Sequence, residues 1–449
     1  MFLKPLKISR LSRDFLRFDL GIMGRISLPG ILAIIAIAVF FSGCATHMLS
    51  RSTIIPVDQF PEFVNPDGSY IKPGSIEYSI PDEDILELND EIRAILDESI
   101  TGLKDPGHRL NALADLITER VKYNTQDDKY GTKTAIETFK SGSGNCLSYS
   151  NLFVAMARYV GLTSGFQEIP VPPNWIKNGE VLFVTKHIGA FVSFYIPGPN
   201  SIRIDFLDGK SMVISDNKSR FLFTPAFMDI IGPEINPLST RSIPDNRAFA
   251  QYYNNIGSQY VAEGKTGDAY RYFVKAIKTD PELSFVWSNL GVAYSRNNQM
   301  DAAEQAFLQA LSINRDKDDT SAMTVMSNMA RLYTRIGKKE LAAFYEKEVI
   351  SFRNRNPYYY FSIGKIAYDE NHFDQAVKNF KKAIEKKEDE HLFHYALALS
   401  YVRLGDIKHA EKSLNNAKAY AWDQELKDYY SRRLEALLKN ATYAQKPAD

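Results

Sequence analysis

The chain has 449 residues, with 54 basic and 54 acidic side chains and no formal net charge. That balance gives no electrostatic reason to hold nucleic acid, while 45% apolar and 12% aromatic residues can build large cores. By length, two or three domains are expected.

The first 30 residues carry six basic side chains, Lys4, Lys7, Arg10, Arg13, Arg17 and Arg25. An apolar run from Ile31 to Phe41 follows, too short for a bilayer, which needs about 20 residues. A basic stretch, a short apolar stretch and the small pair Ser42-Gly43 read as a signal peptide over 1–43. With Cys44 next, the segment resembles a bacterial lipobox, although Phe41 stands where Leu is usual. The resemblance implies an acylated Cys44 as the mature N-terminus, and Ala45 in place of Asp favours the outer membrane of a bacterial envelope. Met23 is an alternative start, and an uncleaved anchor is the competing reading. Six basic and two acidic residues precede Cys44, leaving 48 against 52, formally −4.

Residues 44–82 hold the lipid attachment point and four prolines before residue 80 (Pro56, Pro61, Pro66, Pro73), and read as an extended tether. A domain over 83–232 begins with helical pattern. Leu110, Leu113, Ala114, Ile117 and Val121 mark a helix over 108–122. A second helix runs over 146–159, with Leu147, Ser150, Phe153, Val154, Ala157 and Val160 as its stripe and Gly161 as its stop. The period then changes to two, giving strands at 181–184, 191–195 and 202–206, with Pro197-Gly198-Pro199-Asn200 turning between the last two. Helices followed by an antiparallel sheet make an α+β domain.

After a linker over 233–247 the pattern repeats. Tyr253, Ile256, Gly257, Tyr260, Ala269, Phe273 and Ala276 recur 34 residues later as Trp287, Leu290, Gly291, Tyr294, Ala303, Phe307 and Ala310. Weaker copies follow at Met326–Ala342, Tyr360–Ala383 and Leu397–Ala417. This is the tetratricopeptide pattern, an all-α superhelix of about five repeats over 248–440, with a capping helix at 424–438 and a tail over 441–449. Each repeat contacts mainly its neighbours, so little of this core should depend on residues before 245.

Two cysteines are present, and acylation of Cys44 would leave Cys146 as the single thiol, a liability in an oxidising compartment unless it does chemistry. Cys146 follows the glycine-rich loop Ser141–Asn145 and opens a helix, with Asn145 as N-cap. A thiol there feels the unpaired N–H groups, which favour thiolate and could hold an oxyanion. The competing reading is a buried structural cysteine. A nucleophilic thiol needs a base. Of seven histidines, His47 lies in the tether and His372, His391, His394 and His409 in the repeats. His108 follows Pro106-Gly107 and reads as a surface residue, which leaves His187. Asp205, 18 residues on, is the candidate orienting acid, and adjacent antiparallel strands could set it beside His187. Asp208 is the rival. Neither zinc-type spacing nor a phosphate loop is present, so no metal or cofactor is expected.

Residues 144–162 resemble the transglutaminase-like core of the papain-like cysteine enzymes, and the resemblance covers about 85–230. In that family a Cys opens a helix, a His stands on a strand and an Asp on the next. Cys146, His187 and Asp205 match in order, with the aromatic residue that follows the His displaced to Phe191. The resemblance implies thioester chemistry on an amide, ending in hydrolysis, deamidation or transamidation, although some members are inactive binding modules. The expectation is an envelope lipoprotein that joins a cysteine acyl-transfer domain to repeats whose groove takes a protein or peptide segment. A scaffold with an inactive domain is the alternative.

Overall fold

The structure, a computed structural model, describes residues 54–78, 85–123, 131–178, 181–195, 201–207, 210–215, 241–314, 319–422 and 424–444. Cys44, the 197–200 turn and Asp208 lie outside the described residues.

The first domain opens on short capped helices. Helix α1 (Asp90–Leu96) starts at Asn89, whose side chain accepts from Ile92 N–H. Helix α2 (Pro106–Arg120) starts at Asp105 and buries Leu110, Leu113 and Ile117. Helix α3 (Ala135–Ser141) carries a capping box between Thr134 and Glu137. Helix α4 (Cys146–Tyr159) has the bounds its sequence predicts, and every residue from Leu147 to Ala157 is buried. A helix buried all round is a core helix. Its exit is fixed by Gly161 at φ 76° and by Leu162 N–H donating 2.9 Å to the Ala157 carbonyl. Arg109 Nη1 donates to Val160 O at 2.6 Å and ties α2 to that exit.

Helix α4 packs on a five-stranded antiparallel sheet. Its strands are β5 (Thr163–Asn178), β6 (Val181–Tyr195), β7 (Ser201–Leu207), β8 (Lys210–Ser215) and β9 (Arg241–Ile243), in the order β8-β7-β6-β5-β9. The strands expected at 181–184 and 191–195 are one continuous strand. Strand β5 was hidden by Pro170, Pro172 and Pro173, which cannot donate to a ladder; here the β5–β6 pairing skips from Ile169↔His187 to Asn174↔Thr185. Strand β9 comes from the segment read as a linker.

The second region is five helix pairs and a closing helix. The pairs are α5 (Asp245–Ala262) with α6 (Thr266–Thr279), α7 (Ser284–Arg296) with α8 (Met300–Ile313), and α9 (Asp319–Arg335) with α10 (Lys339–Arg355). They continue as α11 (Pro357–Asp369) with α12 (Phe373–Lys386), then α13 (His391–Arg403) with α14 (Ile407–Tyr420), and α15 (Gln424–Ala444) closes the series. The repeated glycine has a packing cause. A Cβ on Gly257, Gly291 or Gly364 would lie 2.7, 2.7 or 2.5 Å from the ring of Phe273, Phe307 or Phe380. In the third repeat the same two positions hold Ala330 and Glu346. A cleft of about 940 Å³ lies beside these positions, lined by Phe307, Arg331, Arg335, Glu346 and Arg353 among others.

The segment expected as a tether is folded onto the repeats over residues 54–78. Phe63 stacks on Tyr270 at 4.9 Å and lies 5.9 Å from Tyr294, while Phe60 meets Trp287 at 4.8 Å. Strands β1 (Phe63–Val64) and β2 (Tyr70–Ile71) form a hairpin whose turn uses Gly68 at φ 84°. Its backbone is read by repeat side chains: Val64 N donates to Gln299 Oε1 at 3.0 Å, Gln299 Nε2 to Glu62 O at 2.8 Å, and Tyr294 Oη to Pro61 O at 2.5 Å. The prolines are compatible with this because few of the segment's own N–H groups are needed for a ladder.

One apolar cluster consequently runs from Val57 through the α/β domain to Ala342, and a second runs from Phe361 to Tyr430. The division falls between α10 and α11, inside the repeats. The expectation that the repeat core is independent of residues before 245 is therefore corrected: Phe60, Phe63, Ile71, Ile76 and Phe166 all belong to the cluster that holds the first three repeats.

Candidate functional site

Cys146 is the first residue of α4 and is half-buried. The approach to it is a built turn and not the flexible loop its composition suggests. Gly142 sits at φ 62° and ends α3. Ser143–Gly144 (β4) pairs in parallel with Lys122–Tyr123 (β3). At Gly144 a Cβ would come 2.6 Å from Ser148 Cβ, so only glycine lets the turn lie this close to α4.

Asn145 caps the helix. Its Oδ1 accepts from Ser148 N and from Ser148 Oγ, each at 3.0 Å. Its Nδ2 donates to Thr132 Oγ1 at 2.8 Å. Ser148 Oγ in turn accepts from Lys133 N at 2.9 Å, and Lys133 Nζ donates to Ser143 O at 3.1 Å. Side chains from residues 132–148 thus hold the helix start from several directions. Further along α4, Asn151 Nδ2 donates to Lys133 O at 3.1 Å, while its fully buried Oδ1 has no hydrogen-bond partner.

The next turn of α4 reaches the sheet. Ser150 Oγ lies 2.8 Å from the Cys146 carbonyl and 3.3 Å from the Ile188 carbonyl on β6. One hydroxyl therefore joins the first turn of the cysteine helix to the strand residue that follows His187. His187 is on β6, paired with Ile169, at the last regular step before the proline interruption.

Asp205 is on β7, as expected, but stands opposite Phe191 and not opposite His187. Strand alternation puts positions 187, 189, 191 and 205 on one face of the sheet. Along β6, however, His187 is four residues from the Asp205 partner, about 13 Å at roughly 3.3 Å per residue. In this register the two positions are not cross-strand neighbours. His108 is exposed near the start of α2, where its backbone N–H donates to Asp105. His391 and His394 are buried in the repeats, with His391 Nδ1 2.7 Å from Tyr430 Oη. Among the described residues no group of three or more His, Cys, Asp or Glu is placed to hold a metal ion.

Sequence reasoning missed Thr132, Ser148, Ser150 and Asn255 at this site. Ser148 had a readable signal, since it stands three residues after the cap. Asn255 also had one, because it shares its repeat position with Asn289 and Asn328. Thr132 had none, as its partners are distant in the chain.

Comparison with known proteins divides at the same point as the fold. Residues 93–204 match the transglutaminase-like superfamily, a span that contains Cys146 and His187 and ends one residue before Asp205. Residues 250–283, 282–355 and 361–424 match tetratricopeptide repeats. Among curated proteins, the tetratricopeptide repeat domain-containing protein PYG7 of Arabidopsis thaliana is 36% identical over 67 residues, 15% of this chain and 22% of its own length. The anaphase-promoting complex subunit CDC16 of Saccharomyces cerevisiae is 24% identical over 134 residues, 29% of this chain and 16% of its own length. The chain spans less than a third of the length of these relatives. Similar solved structures include YrrB, a TPR protein with an unusual peptide-binding site, at 16% identity over 41% of this chain and 92% of that chain, TM-score 0.21. BtubC from P. vanneervenii is similar at 20% identity over 39% and 80%, TM-score 0.23. The chain therefore joins a transglutaminase-like domain to a series of tetratricopeptide protein-interaction repeats.

Proposed function

We propose that the transglutaminase-like domain performs cysteine acyl transfer, with Cys146 as nucleophile and His187 as general base and acid. The observation that carries this is the Ser150 hydroxyl between the Cys146 and Ile188 carbonyls, which brings the helix start and the histidine strand to one place. His187 takes the thiol proton as sulfur attacks an amide carbonyl, and the N–H groups opening α4 receive the oxyanion. The C–N bond then breaks, the departing amine takes the proton from His187, and a thioester remains. Water completes hydrolysis or deamidation, and an amine completes transamidation. Asp205 acts from the same face of the sheet, as an orienting charge without direct contact. The variant series tests these roles: Cys146→Ala should abolish turnover and His187→Ala should lose nearly as much, since the two act as a unit. Asp205→Ala should cost less than His187→Ala, and an equal loss would overturn the assignment.

A second reading, an inactive domain on a protein-binding scaffold, is favoured by one observation: Phe191 and not His187 is the cross-strand partner of Asp205. Under that reading Cys146→Ala leaves partner capture and every other phenotype unchanged. In either case the repeats bind a protein segment of acidic character, because the third-repeat cleft presents Arg296, Arg331, Arg335 and Arg353 against the single acid Glu346. Acylation of Cys44 would hold the protein to the bacterial envelope, at the periplasmic face of the outer membrane. Cys44→Ala should lose lipid labelling and release the protein, whereas unchanged membrane retention would point to an uncleaved anchor.

A further inference from the structure

The polar network around Cys146 does not end in its own domain. Thr132 Oγ1, which receives Asn145 Nδ2, also lies 2.9 Å from Asn255 Nδ2 on α5, the first helix of the repeats. Asn255 Oδ1 lies 3.5 Å from Asn254 Nδ2, and Asn254 Oδ1 accepts from Asn289 Nδ2 of the second repeat at 2.8 Å. Thr132, Asn254 and Asn289 are 7%, 6% and 7% exposed, so the inner members of the network are shielded from competing water, while Asn145 and Asn255 are half-buried.

The direction of the amides is fixed by chemistry. Ser148 N–H can only donate, so Asn145 must turn its oxygen to it and its nitrogen to Thr132. The threonine hydroxyl has two lone pairs and can serve both asparagines. Ser148 holds the oxygen of Asn145 and Thr132 holds its nitrogen, and Asn255 bonds Thr132 from the far side. Burial gives the network a functional lever. An amide cap free to turn lets the first turn of α4 fray, and the thiol at the first position then loses the ordered N–H groups that favour thiolate.

We infer that the repeats tune the cysteine: Asn255, through Thr132 and Asn145, is a positioning residue that keeps Cys146 reactive. The inference deepens the acyl-transfer reading, yet its test needs no acyl substrate. It uses the full chain with Cys44→Ala, which leaves Cys146 as the one thiol, and measures the pH profile of iodoacetamide alkylation. Asn255→Ala and Thr132→Val should each move the profile to higher pH and slow alkylation at pH 7 by about fivefold, the scale of a lost cap. The double variant should match either single one, because both remove the same linkage. Thr132→Ser, which keeps the hydroxyl, should restore the parent profile. Asn255 is partly exposed, so its substitution is the milder one and reads the inference even if Thr132→Val fails to fold. An Asn255→Ala profile identical to the parent, or effects that simply add, would overturn the linkage. Acyl transfer could fail on every substrate while the profile still shifts, which separates the two ideas.

Discussion

A methyl group on residue 144 has nowhere to go, since it would meet Ser148 Cβ at 2.6 Å. Gly144→Ala should cost about 1–3 kcal/mol in chemical denaturation and slow alkylation of Cys146 by displacing the first turn of α4. Residues this local were legible: Asn145, Cys146 and Gly161 announce a cap, a first position and a stop within one helix. The His187–Asp205 relation was not, because strand register depends on how two segments pair, and residue type at the ends does not set it. His391 gives a residue-scale prediction for pH. Burial pushes its imidazole down to about 4, and it faces Tyr430, Trp422, His394, Glu390 and Lys387. A histidine held neutral by the fold stabilises fully above its unfolded value near 6.5 and loses that contribution as pH falls towards 4. The last repeats should therefore weaken by about 3 kcal/mol between pH 6.5 and 4, and His391→Gln should flatten that slope in pH-dependent denaturation.

The 54–78 segment is the element whose role composition hid. Its four prolines suggest a spacer, while its apolar residues are too sparse to show a period. Their partners lie more than two hundred residues away, so nothing local could reveal them. Phe63 is fully buried against Tyr270 and Tyr294. Phe63→Ala should destabilise the first repeats by about 3–5 kcal/mol, read by thermal or denaturant unfolding. A change under about 1 kcal/mol would mean the segment rests on the repeats without supporting them. The repeats themselves were legible, because the same residue types return at fixed offsets in successive copies, three of them with the glycine–phenylalanine pair.

Two apolar clusters meet between α10 and α11, so the whole molecule should unfold in two steps. The step for Phe361–Tyr430 should be the pH-sensitive one, and Phe63→Ala should move only the other. A fragment over 245–449 should keep the second step and lose cooperativity in the first, with a peptide of residues 54–78 restoring part of it. Hydrogen exchange read along the chain would show the boundary, and a single cooperative unit across it would contradict the division. The α/β domain shares its cluster with the first three repeats, and the Asn255–Thr132–Asn145 bonds cross the same contact, so the α/β domain and these repeats form one folded body. The most direct test of the central claim is mass spectrometry of the parent protein after incubation with bacterial envelope extract. An acyl adduct on Cys146, removed by hydroxylamine and absent from His187→Ala, is the predicted result. A Cys146 that iodoacetamide alkylates readily but that never carries an acyl group would contradict it.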